Sequence, residues 1–184
     1  MSASWTVLHT GYVDDRGVGG TVTLVEDGEA RIVVDPGMVA SREEILGPLK
    51  ERGLAPEDVT HVFLTHHHPD HAMNAALFPH AAVVDFWASY RDAEWTDHEG
   101  DGHRLSEHVT MILTPGHTNE DATLLAVTAD GVVACTHLWW RADRTPDVDP
   151  LADDQAALEA SRERVLAEAD VVVPGHGAPF RTNR

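Results

Sequence analysis

A chain of 184 residues, 42% of them apolar, is long enough to bury a substantial core and is read as one domain over residues 1–184. With 31 acidic against 13 basic residues and a formal net charge of −18, it lacks the clustered cations of a generic nucleic-acid surface; bound divalent metals would still make a cleft locally positive, so nucleic acid is disfavoured rather than excluded. No stretch reaches the ~18 apolar residues of a membrane span, the first residues show no secretory signal, and the single cysteine, Cys135, excludes an internal disulfide, so the expected setting is cytoplasmic and off the membrane.

In chain order, residues 5–13 and 20–26 are rich in Thr, Val and Leu and read as strands, with a turn-rich loop over 14–19 between them. A turn at Asp27-Gly28 leads to a third strand over 30–35. Ser41 with Glu44 three residues on makes a capping box for a helix to residue 52, with Ile45, Leu46 and Leu49 on its apolar stripe and Gly53 as its stop. Residues 61–65 read as a strand, 72–77 as a short helix and 81–86 as the next strand. The run 87–104 is rich in Asp, Glu and Gly and reads as loop, with His98 and His103 solvated. Strands resume at 109–113, 122–128 and 132–136, the last two joined at Asp130-Gly131, a strong hairpin signal. A Pro/Asp linker covers 145–149. A helix over 153–169 then puts Ala157, Leu158, Val165 and Leu166 inward, and a last strand covers 169–173.

The stretch Thr65-His66-His67-His68-Pro69-Asp70-His71 carries the chemistry. Residues two apart on an extended segment face the same way, so His66 and His68 converge while His67 turns elsewhere. Pro69 suits a first helical position, and a turn there brings Asp70 and His71 back beside the first pair. Imidazoles with one carboxylate suit zinc, with iron or manganese as alternatives. Two more histidines follow apolar runs at Pro-Gly turns, in Thr114-Pro115-Gly116-His117-Thr118 and Val173-Pro174-Gly175-His176-Gly177. Asp35, ahead of Pro36-Gly37, is either a turn former or the outer partner of a ligating histidine.

Taken together, His66, His68, Asp70, His71, His117 and His176 in these contexts resemble the metallo-β-lactamase superfamily of metal-dependent hydrolases, and the likeness runs nearly end to end. The resemblance implies an α/β fold, the αββα four-layer sandwich of two mixed sheets with helices outside. It implies a three-histidine site from His66, His68 and His117 and a second site from Asp70, His71 and His176, holding one or two zinc ions. The nucleophile would be a metal-activated water, with Asp70 as the catalytic group that orients it and handles its proton. One position departs from the pattern. After the strand that ends at Cys135, relatives carry Gly-Asp, whose aspartate bridges both metals; here the pair is Thr136-His137. Either His137 is a bystander beside a weak second metal or, as favoured here, it ligates there, on the second metal alone, because a neutral imidazole offers one lone pair. The lost carboxylate would weaken that second metal. His9, His61, His80 and His108 match no ligand position. Trp139-Trp140-Arg141 form either a substrate wall with an anion clamp or ordinary packing with a surface arginine. The leading expectation is a hydrolase of a small-molecule ester, thioester or lactone. A phosphodiesterase or nuclease, and a non-catalytic metal-binding protein, are the alternatives. Ending shortly after His176, the chain is expected to lack the carboxyl-terminal helical domain of thioester-splitting relatives.

Overall fold

The computed structural model describes residues 2–15, 17–143 and 145–183; Arg16, inside the expected loop over 14–19, lies outside them. Its first sheet runs in the order β1 (Ser4–His9), β4 (Val22–Asp27), β5 (Ala30–Val34), β6 (His61–Phe63), β7 (Ala82–Val84), β8 (Ala88–Arg91) and β9 (Glu94–Asp97). The second sheet is β10 (Val109–Leu113), β11 (Ala122–Thr128), β12 (Gly131–Cys135), β13 (Val171–Val173) and β14 (Phe180–Arg181). Both sheets are mixed: β5, β6 and β7 pair in parallel, as do β12 and β13, and the other neighbours are antiparallel.

The period-two alternation of each strand sorts its residues between layers. Val25, Ile32, Val34 and Phe63 of the first sheet meet Met111, Leu124, Val133, Cys135 and Val173 of the second, forming the core between the sheets. Their neighbours Leu24, Val33 and Val62 face outward, under Ile45 and Leu49 of helix α1 (Glu43–Glu51). On the far side Leu125, Ala134 and Val172 lie under Leu158 and Val165 of helix α3 (Gln155–Glu168). The result is the expected αββα sandwich. No described helix is long and apolar enough to cross a membrane.

Local details differ from the sequence reading in four places. The strand expected over 5–13 breaks after β1, and its end becomes β2 (Tyr12–Asp14). This pairs with β3 (Gly17–Gly19) as a separate hairpin where a loop was expected. The run 87–104 contains β8 and β9, which extend the first sheet as a hairpin. It is illegible because β9 is exposed along its whole length and has no apolar alternation. The helix expected over 72–77 is instead α2 (Pro69–Ala72), with Pro69 in its first turn as expected, followed by a 3₁₀ turn over Ala75–Leu77. Leu166 is 42% exposed because the buried stripe of α3 is Leu158, Ser161 and Val165, and the next residue lies about 100° round the helix.

The N-cap of α1 is Arg42, with no side-chain cap bond, one residue after the expected Ser41, though Ser41 and Glu44 still meet. Glu44 Oε1 accepts from the Ser41 N–H at 3.2 Å, while Ser41 Oγ accepts from Glu43 rather than Glu44, at 3.3 Å. α3 starts at Gln155 rather than at residue 153, and its cap is Asp154, which accepts from the Ala156 and Ala157 N–H groups at 2.9 and 3.0 Å.

Asp27 ties the two sheets at one end. Its buried carboxylate accepts from the Ser106 hydroxyl (2.6 Å) and the His108 N–H (2.7 Å), and it pairs with His108 Nδ1 (2.9 Å). Burial works against its ionised form, but the hydrogen bonds outweigh this and hold its pKa below the usual carboxylate range. Asp27→Ala is expected to lower stability to urea at neutral pH by about 1–3 kcal/mol. A depressed folded pKa contributes stability above the unfolded value, roughly pH 3.9, and loses it as pH falls through the folded value. The gap between variant and wild type should therefore narrow in acid; a gap that widens below pH 4 would contradict this role.

Candidate metal centre

Six histidines and one aspartate meet where strands of both sheets end. His66 and His68 follow β6, and Asp70 and His71 sit in α2, which opens at Pro69. His117, His137 and His176 follow β10, β12 and β13 of the second sheet. His68 takes an extended conformation (φ −61°, ψ 143°), so the chain turns into α2 directly after it. His67 points the other way, with Nε2 at 3.0 Å from Asp85 Oδ2.

The donors fall into two groups. His68 Nδ1 lies 3.1 Å from His66 Nε2 and 3.2 Å from His117 Nε2. Asp70 Oδ2 lies 3.4 Å from His71 Nε2 and 3.6 Å from His176 Nε2, and His137 Nε2 is 2.9 Å from His176 Nε2. The donor nitrogens of His137 also come within 4.8 Å of those of His66 and His117. We place His137 in the second group because its Nε2 faces His176, whereas its ring lies at a tilt of 41° over His117, 4.2 Å between centroids, and a ring face offers no lone pair.

Outer partners fix which nitrogen carries each proton. His71 Nδ1 is 2.9 Å from Asp35 Oδ2, and His117 Nδ1 is 3.0 Å from Asp149 Oδ2. His176 Nδ1 is 3.1 Å from the Gly19 carbonyl oxygen. These oxygens only accept, so each Nδ1 holds the hydrogen and each neutral Nε2 turns a lone pair inward. His66 Nδ1 meets the Thr65 hydroxyl at 3.1 Å, and that hydroxyl donates to Asp35 Oδ2 at 2.7 Å. Asp35 serves both strands' ends from a left-handed backbone (φ 49°), a conformation aspartate tolerates better than most residues.

Lone pairs converging beside a carboxylate repel unless a cation sits among them, and this is the test that a metal passes here. Tetrahedral donors at ~2.0–2.1 Å from zinc stand roughly 3.3 Å apart, close to the spacings above. His71 Nε2 is buried with no hydrogen-bond partner, as is His137 Nδ1, the nitrogen opposite the one that faces His176. Without a cation the charge falls on His71: burial opposes it, but Asp35 and Asp70 push its pKa up to about 9. Burial and the neighbouring imidazoles hold His66 and His137 well below the ordinary value and bring His176 to about 4. These are neutral, ligand-ready imidazoles. Asp70 is lowered to about 2; burial opposes its charge, but hydrogen bonding and attraction to His71 prevail.

His68, Asp70, His117, His137 and His176 floor a pocket of about 280 Å³ whose walls are Val13, Val18, Trp140 and Leu151, with His66 and His71 beneath them. Trp140 Nε1 donates to Asp149 Oδ2 (3.1 Å), while Trp139 packs outside against Phe180. A larger groove of about 800 Å³ touches only His176 among the donors. Arg141 lines that groove, not the mouth, and its guanidinium is held by Asp143 through two contacts of 2.9 Å. Asp149, read in sequence as linker, is the functional residue the sequence concealed. Only its tertiary position beside His117 distinguishes it from the other aspartates near it.

A model described as the metallo-beta-lactamase superfamily matches residues 15–137. Metallo-beta-lactamase domain-containing protein 1 of Xenopus laevis is 37% identical over 187 residues, 95% of this chain and 80% of that protein. The Homo sapiens protein of the same name is 41% identical, over 92% of this chain and 66% of its own length. The chain belongs to the metallo-beta-lactamase superfamily. Members of this superfamily are metal-dependent and generally hydrolytic. N-acyl homoserine lactonase of Bacillus cereus is a more distant member, 26% identical over 83% of this chain and 79% of that protein. The fold is shared with a Thermotoga maritima protein of metallo-beta-lactamase type (TM-score 0.75, 24% identity, 98% of this chain and all of that one). It is shared also with a Bacillus thuringiensis protein holding N-decanoyl-L-homoserine at its active site (TM-score 0.69, 19% identity, 95% and 92%).

Proposed function

We propose that the protein is a zinc hydrolase of small, uncharged esters, thioesters or lactones with an apolar acyl part. Its metal would be held by His66, His68 and His117 on one side and by Asp70, His71, His137 and His176 on the other. The observation that carries this reading is the position of the donors on the floor of a pocket walled by Val13, Val18, Trp140 and Leu151. When bound, a zinc ion lowers the pKa of water to about 7 and polarises a carbonyl oxygen.

The chain's own residues do the rest. Asp70, a carboxylate that faces His71 and His176, is a fixed negative charge that orients a water. Asp149 and Asp35 hold the rings of His117 and His71 in one tautomer and one orientation. The apolar walls take the acyl chain, each buried methylene contributing about 0.8 kcal/mol. No described residue lining this mouth is a lysine or arginine, which favours an uncharged substrate over a phosphodiester or nucleic acid. The lactonase relative from Bacillus cereus supports the same class.

The test is metal analysis of the purified protein with a hydrolysis screen over acyl lactones, thioesters, aryl esters and bis-aryl phosphodiesters. Zinc and lactone or ester turnover are expected, rising with acyl length. His68→Ala should lose most turnover and one ion per chain. Faster phosphodiester than ester cleavage would overturn the substrate class, and full metal occupancy in His68→Ala would overturn the ligand assignment.

A further inference from the structure

The two donor groups differ in number and in charge. The first consists of His66, His68 and His117, three neutral imidazoles, with His68 exposed at the mouth. The second consists of Asp70, His71, His137 and His176: four donors, one of them anionic, with His71 fully enclosed and His137 buried on the pocket floor. The residue responsible is His137. A carboxylate there has two oxygens and can serve both groups, whereas a neutral imidazole has one lone pair, and Nε2 of His137 faces His176. Nothing turns it back: Cδ2 and Nε2 lie against the backbone of Gly175, where even a β-carbon would collide with the ring.

Four protein donors complete a tetrahedral shell, as in metal sites that only hold structure, while three leave a position for water or substrate, as in sites that do chemistry. Resting on the functional reading above, we propose that this chain has divided the two roles. The Asp70–His71–His137–His176 group is a closed site that fills first and does not turn over substrate. The His66–His68–His117 group is an open site that fills second and carries the reaction alone. Charge and donor count point the same way, since the group with the carboxylate also has the extra ligand. The weaker second metal expected from the lost bridging carboxylate is thus reversed in order: the three-histidine group gives up the bridge and binds less tightly.

The test is a titration of the metal-free full-length protein with Co²⁺, following visible absorption and turnover of an aryl ester in one sample. When azide is added, cobalt in a closed four-ligand site keeps its spectrum, whereas cobalt with an open position takes up the anion and its band shifts. The first equivalent should give a band that azide does not move, without turnover, and turnover should grow with the second, whose band azide shifts. His68→Ala should keep the first equivalent with an unchanged band. His137→Ala should weaken the first equivalent by more than the roughly 10–100-fold typical of losing an outer partner, and its band should become sensitive to azide. Turnover that tracks the first equivalent would overturn the proposal while leaving the hydrolase reading intact. So would an unaltered first equivalent in His137→Ala, or in His176→Ala if the former does not fold. Two tightly bound equivalents without turnover of any ester, lactone or thioester would overturn both readings.

Discussion

Asp70→Asn should lower kcat by about 10²–10⁴-fold while the unfolding midpoint of the metal-free protein hardly moves. The side chain keeps its shape and loses its charge. Asp70 Oδ2 is the carboxylate oxygen that faces both His71 Nε2 and His176 Nε2. In the metal-free protein an asparagine can turn its amide oxygen toward the protonated His71 and its N–H toward the lone pair of His176, so the fold loses only the charge of that contact. The four-donor group loses its anionic member, and the water held at the neighbouring three-histidine group loses the nearby charge that orients it. Turnover and metal content should be measured on the same preparation. Unchanged turnover with normal metal content would remove Asp70 from the mechanism.

Gly37→Ala should be comparably damaging, although Gly37 is no ligand. A β-carbon there would overlap the backbone of Asp70 and His71. That backbone cannot yield freely. The Asp70 carbonyl accepts from the Gly20 N–H (3.0 Å) and the Met38 N–H (3.2 Å), and Asn74 Nδ2 donates to the Gly37 carbonyl (2.6 Å). The extra methyl must push α2, and two donors with it, out of place. Overpacking of this kind costs about 1–3 kcal/mol. A displacement of about 1 Å in positioned groups costs on the order of 100-fold in rate. Gly47, on α1, is the control for the site: apart from its chain neighbours, a β-carbon there meets nothing within 4 Å, so Gly47→Ala should leave turnover alone, with any cost confined to the helix because Pro48 disfavours the helical conformation for a preceding residue that has a β-carbon. Thermal melts and kcat for both variants would decide the matter, and wild-type activity in Gly37→Ala would refute the packing argument.

What could be read from sequence was what local chemistry determines. Val62-Phe63 ahead of a run of histidines announces a buried strand with a polar end, and Pro69 announces the turn of α2. The division between outward Val33 and inward Ile32 and Val34 follows from alternation. The hidden parts depend on neighbours distant in the chain. Asp149 matters because it meets His117 and Trp140, 32 and 9 residues away. Val18 and Leu151, 37% and 62% exposed, look like scattered surface apolar residues until the fold brings both to one mouth. The split at Tyr12 was invisible because β2 and β3 are only three residues each and alternation needs more.

The outermost strand of the larger sheet has a consequence for handling the protein. β9 ends that sheet, and Glu94, Trp95, Thr96 and Asp97 are all open to solvent. An unpaired row of N–H and C=O groups is a template on which another copy can add itself. Trp95, 64% exposed, would reward such an addition. The guards are Glu94 and Asp97, backed by the repulsion between chains of net charge −18. As acid lowers the net negative charge of the chain, the repulsion between copies fades, and copies would associate edge to edge while the sandwich itself is still folded. The acid limit of this protein is then colloidal rather than conformational: light scattering should rise, with dependence on concentration, before the far-ultraviolet dichroism changes.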